Sequence, residues 1–252
     1  MKIEESHLAQ FQQAYGEVVL KERQRTGIGT LSEKTLHAVL KNYFETDKSK
    51  HEIKIGSYYA DIYTGEGIIE IQTRQFNKLR NKLTYFLEMY PVTLVYPIPY
   101  QKWVYWIDEE TGEISGGRRS PKKGNFYEAF IELYKIKSFL KHGNLSLCLV
   151  LVDIEEYRRL NGWSRDRKRG SHRSDRIPVT LHEQFYIQDL EDYKSLIPEG
   201  LHENFDSKDF AATAKISMRL AQISLNILLE VGAVERIGKK GRAYLYEVKK
   251  SL

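Results

Sequence analysis

Cysteine is nearly absent from this sequence: Cys148 stands alone among 252 residues. One thiol forms no intramolecular disulfide and builds no cysteine-based zinc site, so the chain suits a reducing compartment. Long apolar runs are missing as well. The most apolar stretch, residues 145–152, falls far short of the roughly 20 residues that a spanning helix needs. The first residues, Met1-Lys2-Ile3-Glu4-Glu5, carry charge close to where a secretory leader would be apolar, so a cytoplasmic location is expected. The seven histidines are scattered without metal-binding spacing. No glycine-rich phosphate loop, dinucleotide fingerprint or G-x-S-x-G elbow occurs. These absences remove zinc hydrolases, P-loop enzymes, nicotinamide enzymes and serine hydrolases of the common types.

What is present is an ordinary core and a basic balance. Apolar residues make up 41% of the chain, enough to exclude wholesale disorder. Lys and Arg number 39 against 34 Asp and Glu, a formal charge of +5. That balance permits nucleic-acid binding without requiring it, so the placement of the charges decides.

Apolar spacing predicts helices over 4–25 and 31–44, the second capped by Thr30 with Glu33 completing a capping box. A strand is expected over 51–64 and another over 67–73, joined by Gly65-Glu66. Glycine at the first loop position suits a type II′ turn, which needs φ > 0 there. A helix over 75–88 and a strand over 92–96 follow, and strand–helix–strand with short links argues for a parallel pair. Residues 102–108 are expected to pair with 113–116, and 145–154 reads as a strand buried on both faces.

The hairpin is the informative place. With Gly65-Glu66 as its loop, Thr64 faces Gly67, and the same count sets Asp61 opposite Glu70, with Gln72 on the same face. Directly opposed residues have Cβ atoms ~5 Å apart, and like charges so placed repel. A cation between two carboxylates relieves this, and such oxygen ligands suit Mg²⁺ or Mn²⁺. The competing reading makes Asp61, Glu70 and Gln72 the wet face of a two-sided hairpin.

Asp61 followed by Glu70-Ile71-Gln72, on a hairpin leading into a helix and a further strand, resembles the core of the PD-(D/E)xK nuclease superfamily, the restriction-endonuclease-like fold. The resemblance covers about residues 30–155. It implies an α/β domain whose mixed central sheet is flanked by helices. It also implies Asp61 and Glu70 as metal ligands at a phosphodiester, with Glu33 as an additional acidic residue; the capping box explains Glu33 equally well. The chain departs from the family at Gln72, where Lys is usual. A neutral amide orients water but supplies no positive charge; Arg74 or Lys78 could supply it instead.

Two segments concentrate basic residues: a loop with Arg118, Arg119, Lys122 and Lys123, and the stretch 162–176 with Arg165, Arg167, Lys168 and Arg169. Such density marks either a phosphate-contacting surface or a solvated loop. Beyond about residue 185 the chain resembles a winged helix-turn-helix. The matching features are helices near 207–214 and 217–231, Gly232, and a basic tip holding Lys239, Lys240 and Arg242. Arg219, Gln222 and Asn226 share one helix face, as base-reading side chains do; a protein-binding or dimer role is the alternative.

The expectation is therefore a nuclease-like domain, 1–185, and a winged-helix domain, 186–252. Together they would act as a Mg²⁺- or Mn²⁺-dependent endonuclease on double-stranded DNA, with a homodimer left open. The alternatives are a catalytically inactive DNA-binding protein or an interaction module.

Overall fold

A computed structural model describes residues 4–20, 35–108, 110–159 and 172–250. The fold is α/β, with helices around a mixed sheet. Helices α1 (Glu5–Tyr15) and α2 (Thr35–Phe44) come first. Strands β1 (His51–Ile55) and β2 (Tyr58–Tyr63) form an antiparallel hairpin, Ile55 opposite Tyr58. The sequence suggested one strand over 51–64. Gly56, at φ +59, divides it with a tight turn.

Strand β3 (Ile68–Ile71) is shorter than the expected 67–73. Gln75 takes a left-handed conformation, φ 59, and the chain enters a single 3₁₀ stretch, Phe76–Leu79, that continues as α3 (Arg80–Leu87). The crossover returns as β4 (Val92–Ile107), parallel to β3 with Glu70 opposite Leu94. Then come β5 (Ile114–Arg119), α4 (Ala129–Leu133), β6 (Leu145–Arg159) and β7 (His172–Ile187). The C-terminal elements are α5 (Ser207–Thr213), α6 (Met218–Val231), β8 (Val234–Lys240) and β9 (Ala243–Val248). The large sheet runs β1-β2-β3-β4-β6-β7, with β5 on β4, and β8 pairs with β9. Among the described residues no helix is long and apolar enough to cross a membrane.

The chain divides into two compact units whose segments alternate in sequence: Met1–Tyr63, Pro97–Asn125 and Val150–Gln184 in one, Thr64–Tyr96, Phe126–Leu149 and Phe185–Leu252 in the other. In the first, α1 and α2 meet through Phe11 and Tyr43, whose rings lie 5.7 Å apart edge to face. The Tyr43 hydroxyl donates to Gln184 Oε1 at 3.1 Å, so the buried phenol keeps a partner. Gly124 passes so close to Pro99 that an added Cβ would sit 2.0 Å from its carbonyl oxygen.

In the second unit, Leu79, Leu83, Phe86 and Leu87 of the crossover helix are buried, as are Ile68, Ile71, Val92 and Leu94 of the parallel pair. Each such side chain contributes roughly 1.5–3 kcal/mol on burial. The Gly65-Glu66 turn closes with the Thr64 N–H donating to the Gly67 carbonyl at 3.0 Å, and Gly65 sits at φ +94. In the C-terminal part, Asp206 and Asp209 form a capping box, Ser217 caps α6, and Gly232 ends it at φ 85. Phe205 makes an isolated antiparallel bridge to Tyr246 of β9.

Candidate functional site

Asp61 lies on β2 in the first unit, its side chain 14% exposed. Its Oδ2 is 3.0 Å from Nε2 of His37, on α2. Glu52, on β1, completes a group: one ligand atom each from His37, Glu52 and Asp61 lies within 4.8 Å of the others. Glu52 is itself ion-paired to Lys41, one helical turn beyond His37. Sequence reasoning missed His37 and Glu52, because the three residues are widely spaced and meet only when α2 packs beside the β1–β2 hairpin. One signal was available: His37 and Lys41, at i and i+4, share a face of α2.

Glu70 lies on β3 in the second unit and is buried, 2% exposed. Lys82 Nζ contacts its Oε2 at 2.6 Å. Lys82 also sits 5.6 Å from the centre of the Phe86 ring. A buried carboxylate needs such a partner, since unpaired charge in the interior is costly. Positive charge near this carboxylate therefore comes from α3, a source the sequence reading did not single out. The residues expected to bring charge, Arg74 and Lys78, lie beyond the end of β3 at Ile71 and are both exposed. The sequence did hold a clue: Leu79, Lys82, Leu83 and Phe86 fall at i, i+3, i+4 and i+7, so Lys82 interrupts an apolar stripe.

Gln72 follows the last residue of β3, and its N–H donates to Val95 O at 2.9 Å, prolonging the pairing with β4. Its side-chain amide donates to the Arg74 carbonyl. Glu33 lies outside the described residues, as do Arg165, Arg167, Lys168 and Arg169.

Of the basic residues, Arg118 and Arg119 are on strand β5, not in a loop, opposite Val104 and Trp103. Lys122 is exposed. Lys123 reaches back to Tyr100, donating to its hydroxyl at 2.8 Å. Residues 172–176, read as the end of a loop, begin β7. The exposed faces of β5 show no burial alternation, whereas in β7 the charged Asp175 is buried and accepts from Thr35 Oγ1 at 2.6 Å, a partner distant in sequence.

In the C-terminal part, Arg219 and Gln222 are exposed on α6. Asn226, on the same helix, is half-buried and accepts a bond from Lys137 Nζ at 3.3 Å. Glu230 pairs with Lys137 at 3.1 Å. The structure thus separates Asn226 from the exposed part of that face. It does bring Gln222 together with Lys240 and Arg242, along a groove of about 610 Å³ that also takes in Lys208. Lys239, on β8, stands over the Tyr244 ring at 4.8 Å, and Arg236 at 4.1 Å.

Residues 34–188 match the model of a family described as a domain of unknown function, DUF8091. A protein of Treponema pallidum (strain Nichols), described as uncharacterized, is 27% identical over 227 residues, covering 87% of this chain and 86% of the relative. No solved structure matches the chain.

Proposed function

We propose, for this chain, which belongs to the DUF8091 family, the function of a divalent-metal-dependent DNA endonuclease. The observation that carries the reading is Glu70: a buried carboxylate on a central strand, held by Lys82 of the helix that follows. The order of elements supports a restriction-endonuclease-like core: α2, the β1–β2 hairpin, β3, a crossover helix, then β4 parallel to β3. The C-terminal helices, with the β8–β9 hairpin and the Phe205 bridge, support a winged helix that docks on duplex DNA. A helix-and-wing groove lined by Gln222, Lys240 and Arg242 combines a base-reading side chain with phosphate-binding ones.

The donors at Asp61 fit a divalent ion, since carboxylate oxygens and one imidazole nitrogen are ligands of Mn²⁺ and, for the oxygens, of Mg²⁺. Asp61 in the first unit and Glu70 in the second are each proposed as a metal ligand. A bound ion supplies a lowered water pKa and charge stabilisation on the leaving oxygen. The chain's own residues do the rest. His37 orients the Asp61 carboxylate through its Nε2. Lys82 fixes Glu70 and brings the positive charge that Gln72 lacks. Gln72, its amide held by the Arg74 carbonyl, contributes orientation and no charge.

The test is cleavage of supercoiled plasmid and synthetic duplexes with Mg²⁺ or Mn²⁺, comparing wild type with Asp61→Ala and Glu70→Ala. Cleavage by wild type and none by the variants supports the reading. Equal cleavage by all three would show that the hairpin is not the centre. The engaged Gln72 amide favours a second reading, a DNA-binding protein without catalysis; strong duplex binding with no cleavage on any substrate would select it.

A further inference from the structure

The first unit holds a concave, strongly cationic pocket whose lining includes none of the proposed metal ligands. Lys102, Val104 and Trp106 alternate along β4 and so share one face. Arg118 and Arg119 enter from β5 and Arg158 from the end of β6, around a volume of about 520 Å³. Among the described residues this lining carries four cationic side chains and no carboxylate. The neighbouring carboxylate, Glu156, is wholly buried. It accepts from Arg158 Nε at 2.7 Å and lies 3.6 Å from Lys102 Nζ, so it fixes two of the four cations before any ligand arrives. The Arg158 guanidinium in turn stands 5.6 Å from the Trp106 ring centre.

We infer that this pocket takes one unpaired nucleotide of a DNA strand, its phosphate on Arg118, Arg119 and Lys102 and its base against Trp106. Clustered cations select a phosphate, and the arginines match its oxygens in a planar fork. A phosphate alone would leave most of the volume empty, whereas a nucleotide fills a site in the usual range of roughly 300–1,000 Å³. The half-exposed Trp106 adds what a bare anion site does not need, a flat π-face. Aromatic stacking with flanking positive charge is how proteins hold single strands without reading sequence. In a duplex the base is stacked on its neighbours and is not offered to Trp106. The site is thus one for a strand end, gap or displaced strand.

The experiment titrates the full chain, in EDTA so that no cleavage intervenes, with 5′-phosphorylated dT12, following tryptophan fluorescence and salt dependence. Wild type should show quenching and a preference for dT12 over a blunt 12-base-pair duplex. Trp106→Phe should remove most of the quench. Trp106→Ala should weaken binding by about 5- to 150-fold, the range for one lost base stack. Arg118→Ala/Arg119→Ala, at two exposed positions whose replacement leaves the core intact, should lower the slope of log affinity against log salt by about 0.7, the value for one lost phosphate on a single strand. Unchanged affinity and slope in that double variant, full quenching in Trp106→Phe, or a preference for the duplex would each overturn the inference. Because the binding is measured without metal, failure of the cleavage reading leaves this result standing, and the reverse holds too.

Discussion

Removing the Lys82 ammonium gives the sharpest test of the buried carboxylate. In Lys82→Ala the Glu70 side chain, 3% exposed, loses a contact of 2.6 Å and stays in the interior. Breaking one partner of a buried pair costs about 3–5 kcal/mol, mostly the cost of a buried charge that has lost that contact. With a urea m-value of about 3 kcal/mol/M, the unfolding midpoint should fall by about 1–1.7 M. Glu70→Gln/Lys82→Met removes both charges and should recover most of that loss, since paired deletion leaves no stranded group. The proposed function adds a second expectation. If Glu70 is a metal ligand, a divalent ion supplies the missing cation, so Mn²⁺ should raise the midpoint of Lys82→Ala more than that of wild type. At 100 times its dissociation constant an ion bound only by the folded state adds about 2.7 kcal/mol. A loss below 1 kcal/mol in Lys82→Ala would refute the buried-pair reasoning. A full loss that Mn²⁺ does not relieve would keep the pair and refute the metal at Glu70.

Other perturbations report on other parts. Asp61→Ala should abolish cleavage while duplex affinity stays nearly unchanged; Gln72→Ala should leave it measurable, within roughly 10²-fold of wild type, and Gln72→Lys should retain or raise it, all read from plasmid nicking at equal Mg²⁺. Gly124→Ala places a Cβ 2.0 Å from the Pro99 carbonyl and should cost about 1–3 kcal/mol, seen as a lowered midpoint in thermal unfolding. Burial pushes the Cys148 thiol from 9.0 up to about 12 and the Tyr127 phenol from 10.0 up to about 12. Below pH 9 both groups are neutral in either state. Above it the unfolded chain gives up protons that the fold retains, so stability should fall between about pH 9 and 12, as urea titrations at successive pH values would show. Native Cys148 should accordingly resist thiol reagents at pH 8 and react once the chain is unfolded.

Local chemistry was well written in the sequence. Gly65 at φ +94 and Gly232 at φ 85 sit where residue type alone put them, because turns and helix ends depend on neighbours a few positions away. The parallel β3–β4 pair across a helix was legible for the same reason: its links are short. What escaped depended on distant partners. His37 and Glu52 gain meaning only beside Asp61, and Lys82 only beside Glu70. Strand β5 was expected only as far as residue 116 and runs on to Arg119: both its faces are largely exposed, so Arg118 and Arg119 looked like a loop. Asn226 was grouped with Arg219 and Gln222 by helical angle, yet the segment carrying Lys137 covers its end of the helix.

The alternation of the two compact units along the chain has a consequence for how the protein is made. Each unit is assembled from three separated stretches, and the second needs residues 64–96, 126–149 and 185–252 together. No single cut releases either one as a fragment. During synthesis residues 64–96 leave the ribosome long before 185–252, the last stretch of their unit, exists, and at about 5–20 residues per second that wait lasts several seconds or more. Early segments must therefore survive as exposed apolar chain until the last is delivered. Folding should be slow for the size, dominated by closure of long loops, and sensitive to chaperone supply and to temperature during expression.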